Sequence, residues 1–142
     1  MNRENIDKVI DWLNRGAPEV VFSMHYDLVW LDDLHFDDED HRRLAPSEQV
    51  KVNTCGSVCC IAGAAAQFNG LTPGNYSSWF KVQEQALQFF GVRPTGIIPR
   101  ILPVFDPHRA PPNCDPITAA AALQRWADNT PFDIAFNPWS QA

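Results

Sequence analysis

Thirteen consecutive residues, Cys55-Gly56-Ser57-Val58-Cys59-Cys60-Ile61-Ala62-Gly63-Ala64-Ala65-Ala66-Gln67, carry small side chains on nearly every face of any regular element they could form. Free cysteine behaves as a small hydrophobe. A helix of Cys, Ala and Gly lets its neighbours approach toward the short end of the roughly 8–10 Å range of interaxial distances. The stretch therefore predicts a central packing helix over about residues 57–69, beginning at or just after Cys55, capped by Thr54 or Ser57 and leaving through Asn69-Gly70. The expected fold is mainly α: a single compact helical domain, residues 1–142, around that helix, with a short strand or two admitted.

Helices are expected on either side. Ile6, Val9, Ile10 and Leu13 recur at helical spacing over residues 2–15, with charged residues on the remaining surface and Gly16 as a stop. Ser77 or Ser78 opens a second helix whose apolar face is Trp79, Val82, Ala86, Phe89 and Phe90, ended by Gly91. Asp115-Pro116 reads as an N-cap followed by proline at the first helical position, leading into Ile117 through Ala127. Between them, residues 92–114 hold six prolines, which forbid a long helix or a central strand there. The tail from Thr130, with Phe132, Ile134, Phe136 and Trp139, is expected to pack across the body. Residues 20–31 mix β-branched, aromatic and polar residues, and periodicity leaves strand and helix both open.

Charge narrows the function classes. Seventeen acids against eleven Lys and Arg give a net charge of −6, which repels phosphate backbones and anionic membranes. Direct nucleic-acid and membrane binding are not expected. The opening Met1-Asn2-Arg3-Glu4 lacks the apolar run of a signal peptide, and no stretch reaches the eighteen or so apolar residues of a spanning helix, so a cytoplasmic location is expected. GxGxxG, Walker A, HExxH and G-x-S-x-G are all missing, and no cofactor is expected.

The cysteines invite three chemical readings. A thiol at a helix N-terminus gains thiolate character, which makes Cys55 and Cys59 the candidate nucleophiles of a small thiol-dependent enzyme, with His25 or His108 as base. The papain-type signature is not met, because Val58 is inserted and no aromatic residue directly follows the second cysteine. Zinc needs four ligands at paired spacings, and Cys55, Cys59 and Cys60 lack a second pair, so no metal is expected. Reduced thiols are the default; a Cys55–Cys60 disulfide is geometrically possible, whereas adjacent Cys59 and Cys60 sit too close.

Cys55-Gly56-Ser57-x-x-Cys60-Ile61-Ala62-Gly63 is similar to a CG[TS]xxC[IL]AG signature found in small bacteriophage and bacterial proteins with no assigned activity. The likeness extends to Phe22-x-Met24 and to the Ala-rich helix near the end. It implies a phage or prophage setting and a mostly helical domain.

The second unusual segment is acidic. Seven of the 17 acids lie between Asp27 and Asp40, and an exposed loop over 32–40 is expected. Without the ligand spacing and glycine of a calcium loop, its carboxylates are free to face a basic partner. The expected partner-binding residues are Trp30, Asp32, Asp33, Leu34, Phe36, Asp37, Asp38, Glu39 and Asp40. The function expected is a non-enzymatic binding protein, an accessory or host-inhibitory factor engaging a host protein with a basic surface. The alternatives are the thiol enzyme, or a sponge for a small anionic signalling molecule held by Arg93, Arg100 and Arg109.

Overall fold

The computed structural model describes residues 1–74, 78–93, 101–129 and 136–140. Its first helix, α1 (Arg3–Asn14), starts where the Asn2 side chain accepts the Asn5 amide and buries Ile6, Val9, Ile10, Trp12 and Leu13. The last, α6 (Pro116–Asn129), starts where Asp115 Oδ1 accepts the Thr118 amide at 2.7 Å, and it packs on α1. Between them lie β1 (Val21–Phe22), β2 (Leu28–Trp30), the short helices α2 (Asp38–Arg42) and α3 (Pro46–Gln49), and β3 (Ser57–Cys59). Helix α4 (Ile61–Phe68) and helix α5 (Trp79–Phe90) come next and pack on each other. The fold is mainly helical, with one small sheet, and no helix among the described residues is long and apolar enough to cross a membrane.

The aromatic residues fill the base of the core. Phe90 of α5, Phe105 from a 3-10 turn at Pro103–Phe105 and Trp126 of α6 form a triangle with ring centroids 6.0–6.4 Å apart. Leu102 N–H donates to the buried side chain of Gln83, and Trp139 Nε1 donates to Pro103 O at 2.8 Å, so part of the Pro-rich segment and part of the tail are docked on the body. Ile97, Ile98, Arg100, Phe132 and Ile134 lie outside the described residues.

The cysteine segment departs from the expected helix. Ser57–Cys59 is a strand, and the helix begins only at Ile61, with Cys60 as its N-cap. Neither Thr54 nor Ser57 caps it. The strand order is β1-β3-β2, β3 running parallel to β1 and antiparallel to β2. Cys59 lies opposite Phe22 and Leu28 and joins the main core, whereas Val58 lies opposite Val21 and Val29 in a second cluster on the other face. A central strand buried on both faces shows no alternation of polarity, so a short run of small apolar residues reads equally well as buried helix. Residues 20–31, open in the sequence, form the two outer strands and the turn between them.

The junction between β3 and α4 explains the run Cys60-Ile61-Ala62-Gly63. The Cys60 sulfur accepts the Gly63 amide at 3.5 Å, while its thiol (3.7 Å) and its backbone amide (3.3 Å) both donate to Asp27 O. Gly63 is where that carbonyl comes to rest. A Cβ there would overlap Asp27 O outright and stand 2.8 Å from Asp27 C. Cysteine caps the helix while filling a dry site, and glycine admits the β1–β2 turn onto the helix.

One buried ion pair ties the remaining pieces together. Glu48, fully buried on α3, accepts the Phe22 amide at 2.8 Å and Lys51 Nζ at 2.6 Å on Oε1, and Ser47 Oγ at 2.9 Å on Oε2. Lys51 Nζ also donates to Gly16 O (2.6 Å) and Ala17 O (3.2 Å). The pair thus supplies edge strand β1 with an acceptor that no neighbouring strand offers.

Gly63→Ala tests the helix–turn contact. The substitution should cost about 3 kcal/mol by forcing Asp27 off α4, read as a lower urea midpoint. An unchanged midpoint would mean that the turn does not rest on this helix.

Candidate functional site

The nine residues expected to bind a partner fall into groups with different physical roles. Leu34 and Phe36 are half-buried, packed with Tyr26, Val29, Leu31, Val52 and Cys55 over the outer sheet cluster of Val21, Leu44 and Val58. Their apolar character holds the acidic segment down. Phe36 meets the Tyr26 ring at 6.3 Å.

The acids are only partly a loop, which corrects the sequence expectation. Asp37 accepts the Asp40 amide at 2.8 Å and Asp40 accepts the Asp37 amide at 3.1 Å, a capping box that opens α2. The Asp40 amide holds the Asp37 carboxyl below its ordinary range. Glu39 takes Arg43 Nη2 at 2.7 Å, and Asp40 lies 3.9 Å from Arg43 Nη1. Asp37, Glu39 and Asp40 are thus spent on local helix structure. Asp38 stands exposed in the first turn of α2.

Trp30, Asp32 and Asp33 differ from the rest. Trp30 ends edge strand β2 with 46% of its surface exposed. Its indole is bordered by two glycines: a Cβ at Gly56 would lie 4.0 Å from Trp30 Cζ3, and one at Gly74 would lie 3.7 Å from Cδ1. The chain then enters a 3-10 turn, Leu31–Asp33, with Asp32 and Asp33 exposed just beyond the tryptophan. A large rigid aromatic side chain flanked by open carboxylates can cover an apolar patch and pair with its basic rim.

The thiol reading finds no sulfur–imidazole hydrogen bond among the described residues. Cys59 is fully buried in β3, and burial pushes its thiol well up. Cys55 is half-buried in the outer cluster, its sulfur 4.0 Å from Thr54 Oγ. His25 and His108 are exposed, and their backbone amides donate to Ser23 Oγ and Asp106 Oδ1. All four cysteines are free thiols. Of the three arginines of the anion-sponge reading, Arg109 faces Asp106 at 3.4 Å and Arg93 is exposed, while Arg100 lies outside the described residues.

Sequence reasoning missed what His25 does join. With Ser23, Tyr26, Asp40 and Arg43 it lines a polar hollow of about 210 Å³ between the β1–β2 turn and α2. Burial first, and then Asp40, raise the Tyr26 phenol above its ordinary value. Asp40 and Arg43 are separated from residues 23–26 in the sequence, and only the placing of α2 beside the β1–β2 turn unites them.

No protein-family model, no curated protein and no solved structure matches this chain. The geometry stands alone.

Thiol reactivity gives a direct check. Burial holds the Cys60 and Cys114 thiols up to about 12, against an ordinary value of 9.0. In the folded chain at pH 8, iodoacetamide should label Cys55 and spare Cys59, Cys60 and Cys114 until denaturant is added, as read by mass spectrometry. The pH dependence has a definite sign. The folded chain keeps protons that the unfolded chain loses above 9.0, so this stabilisation is intact below that pH and is lost toward about 12. The limiting slope is about 1.4 kcal/mol per pH unit for each thiol, measurable from urea unfolding across that range.

Proposed function

We propose that this chain is a non-enzymatic binding protein, an accessory or inhibitory factor of the phage type, that engages a basic surface on a host protein in the host cytoplasm. The centre of the binding face is Trp30 with Asp32 and Asp33, and Asp38 in the first turn of α2 extends it. The observation that carries the reading is the exposure of Trp30 at a strand end next to two exposed carboxylates. Aromatic anchors of this kind supply much of the energy of a protein interface, and a surrounding field of one sign steers and orients the partner. The net charge of −6 favours a cationic partner at every approach.

This is narrower than a uniform acidic patch. Leu34 and Phe36 are proposed as supports of the face and Trp30 as its apolar anchor. Asp37 and Asp40 are proposed to shape α2, leaving Asp32 and Asp33 as the principal pairing groups.

Affinity purification from bacterial lysate with quantitative mass spectrometry tests the proposal. Wild type is compared with Trp30→Ala, with Asp32→Asn/Asp33→Asn, and with a charge-matched control on α1, Asp7→Asn/Asp11→Asn. A protein retained by wild type and by the control should be lost at least about tenfold from the first two variants. Its capture should also weaken as salt is raised. Equal retention by all four proteins contradicts the proposal, provided that their unfolding midpoints agree.

A further inference from the structure

A second site lies outside that face, where the end of α1 meets α4. The chain leaves α1 through two bonds of a Schellman turn, Gly16 N–H to Leu13 O at 2.9 Å and Ala17 N–H to Trp12 O at 3.0 Å, with Gly16 at φ +88°. The left-handed backbone does not stop at the glycine. Ala17 has φ +49° and Glu19 φ +72°, conformations that side-chain-bearing residues rarely adopt. Two of the three Lys51 Nζ bonds land on this turn, on Gly16 O and Ala17 O, and the third, to the fully buried Glu48, fixes Lys51 and neutralises it. Strain of this kind persists only where its surroundings over-determine it.

The strained turn borders a hollow of about 260 Å³ whose lining includes Glu19, Trp12, Phe68, Gln67, Pro18 and Ala64. Trp12 and Phe68 meet edge to face at 6.1 Å, and Phe89 stacks behind Phe68 at 5.7 Å, so the aromatic wall is braced from α5. Glu19 is exposed, and among the described residues its carboxylate enters no hydrogen bond or ion pair. The small side chain of Ala64 leaves the space open. A carboxylate beside aromatic rings, on a protein of net charge −6, is matched chemically by a cation with a flat or alkylated head.

We propose that this hollow is a binding site for an organic cation of side-chain size, a guanidinium or alkylammonium group. Glu19 pairs with the charge, Trp12 and Phe68 cover the head group, and Gln67 offers its amide as a further acceptor. The Glu48–Lys51 pair acts at a distance, by holding the turn that carries Glu19. The site does not depend on the Trp30 face, and either can fail without the other.

The test is an NMR titration of the ¹⁵N-labelled full chain with N-acetyl-arginine amide, using the neutral isostere N-acetyl-citrulline amide as control. Arginine should shift the Trp12 indole and Gln67 side-chain signals saturably, in the millimolar range expected of one charged group in a shallow site. Citrulline should not. Glu19→Gln should bind about tenfold more weakly, and Glu19→Gly, which removes the carboxylate and relieves the left-handed strain, should be the more stable protein and fail to bind. Unsaturated or absent shifts with arginine, equal shifts with citrulline, or full affinity in either variant would each overturn the proposal.

Discussion

A carboxylate with no exposure to water, Glu48, holds the rest of this structure in place. Removing a carboxylate from water is costly unless every acceptor site finds a donor. Here the donors come from three directions: the Phe22 amide of edge strand β1, the Lys51 ammonium and the Ser47 hydroxyl. Lys51 then reaches on to the turn after α1. A single buried charge therefore joins the first helix, the sheet and the segment that covers the outer sheet face. Both surfaces with functional promise, the Trp30 edge and the Glu19 hollow, adjoin elements that this pair positions.

The same economy governs the cysteine segment. Cys59 packs opposite Phe22 and Leu28, Cys60 caps α4, and Gly63 receives the Asp27 carbonyl. Each small residue permits one close approach, and together they let a three-stranded sheet and a helix share a wall. A pattern of this kind persists for packing as readily as for reactivity. The buried, protonated thiols and the lack of any sulfur–imidazole bond among the described residues favour packing.

The long helices were legible in the sequence because their signals are local. Asp115-Pro116 marked the start of α6, Gly91 the end of α5, and the spacing of Ile6, Val9, Ile10 and Leu13 the buried face of α1. β3 was not legible as a strand, since a strand buried on both faces has no alternation, and its partners lie far back along the chain. The acidic run was half legible. Its charge and exposure were plain, but the reciprocal capping of Asp37 and Asp40 needs the helix to exist before it can be seen. Glu48 and Glu19 carried no sequence signal at all: one is an acid whose burial depends on a strand edge far along the chain, the other an acid in a backbone conformation that no composition announces.

The central claim is that the Glu48–Lys51 pair acts as one unit, and a double-mutant cycle measures that most directly. Unfolding free energies would be determined for wild type, Glu48→Gln, Lys51→Met and the double variant. Lys51→Met alone should cost about 3 kcal/mol, because it strands Glu48 in a dry site. The double variant should cost less than the sum of the singles by more than about 1 kcal/mol. Losses that add to within about 0.5 kcal/mol would contradict the account, since each residue would then be acting alone.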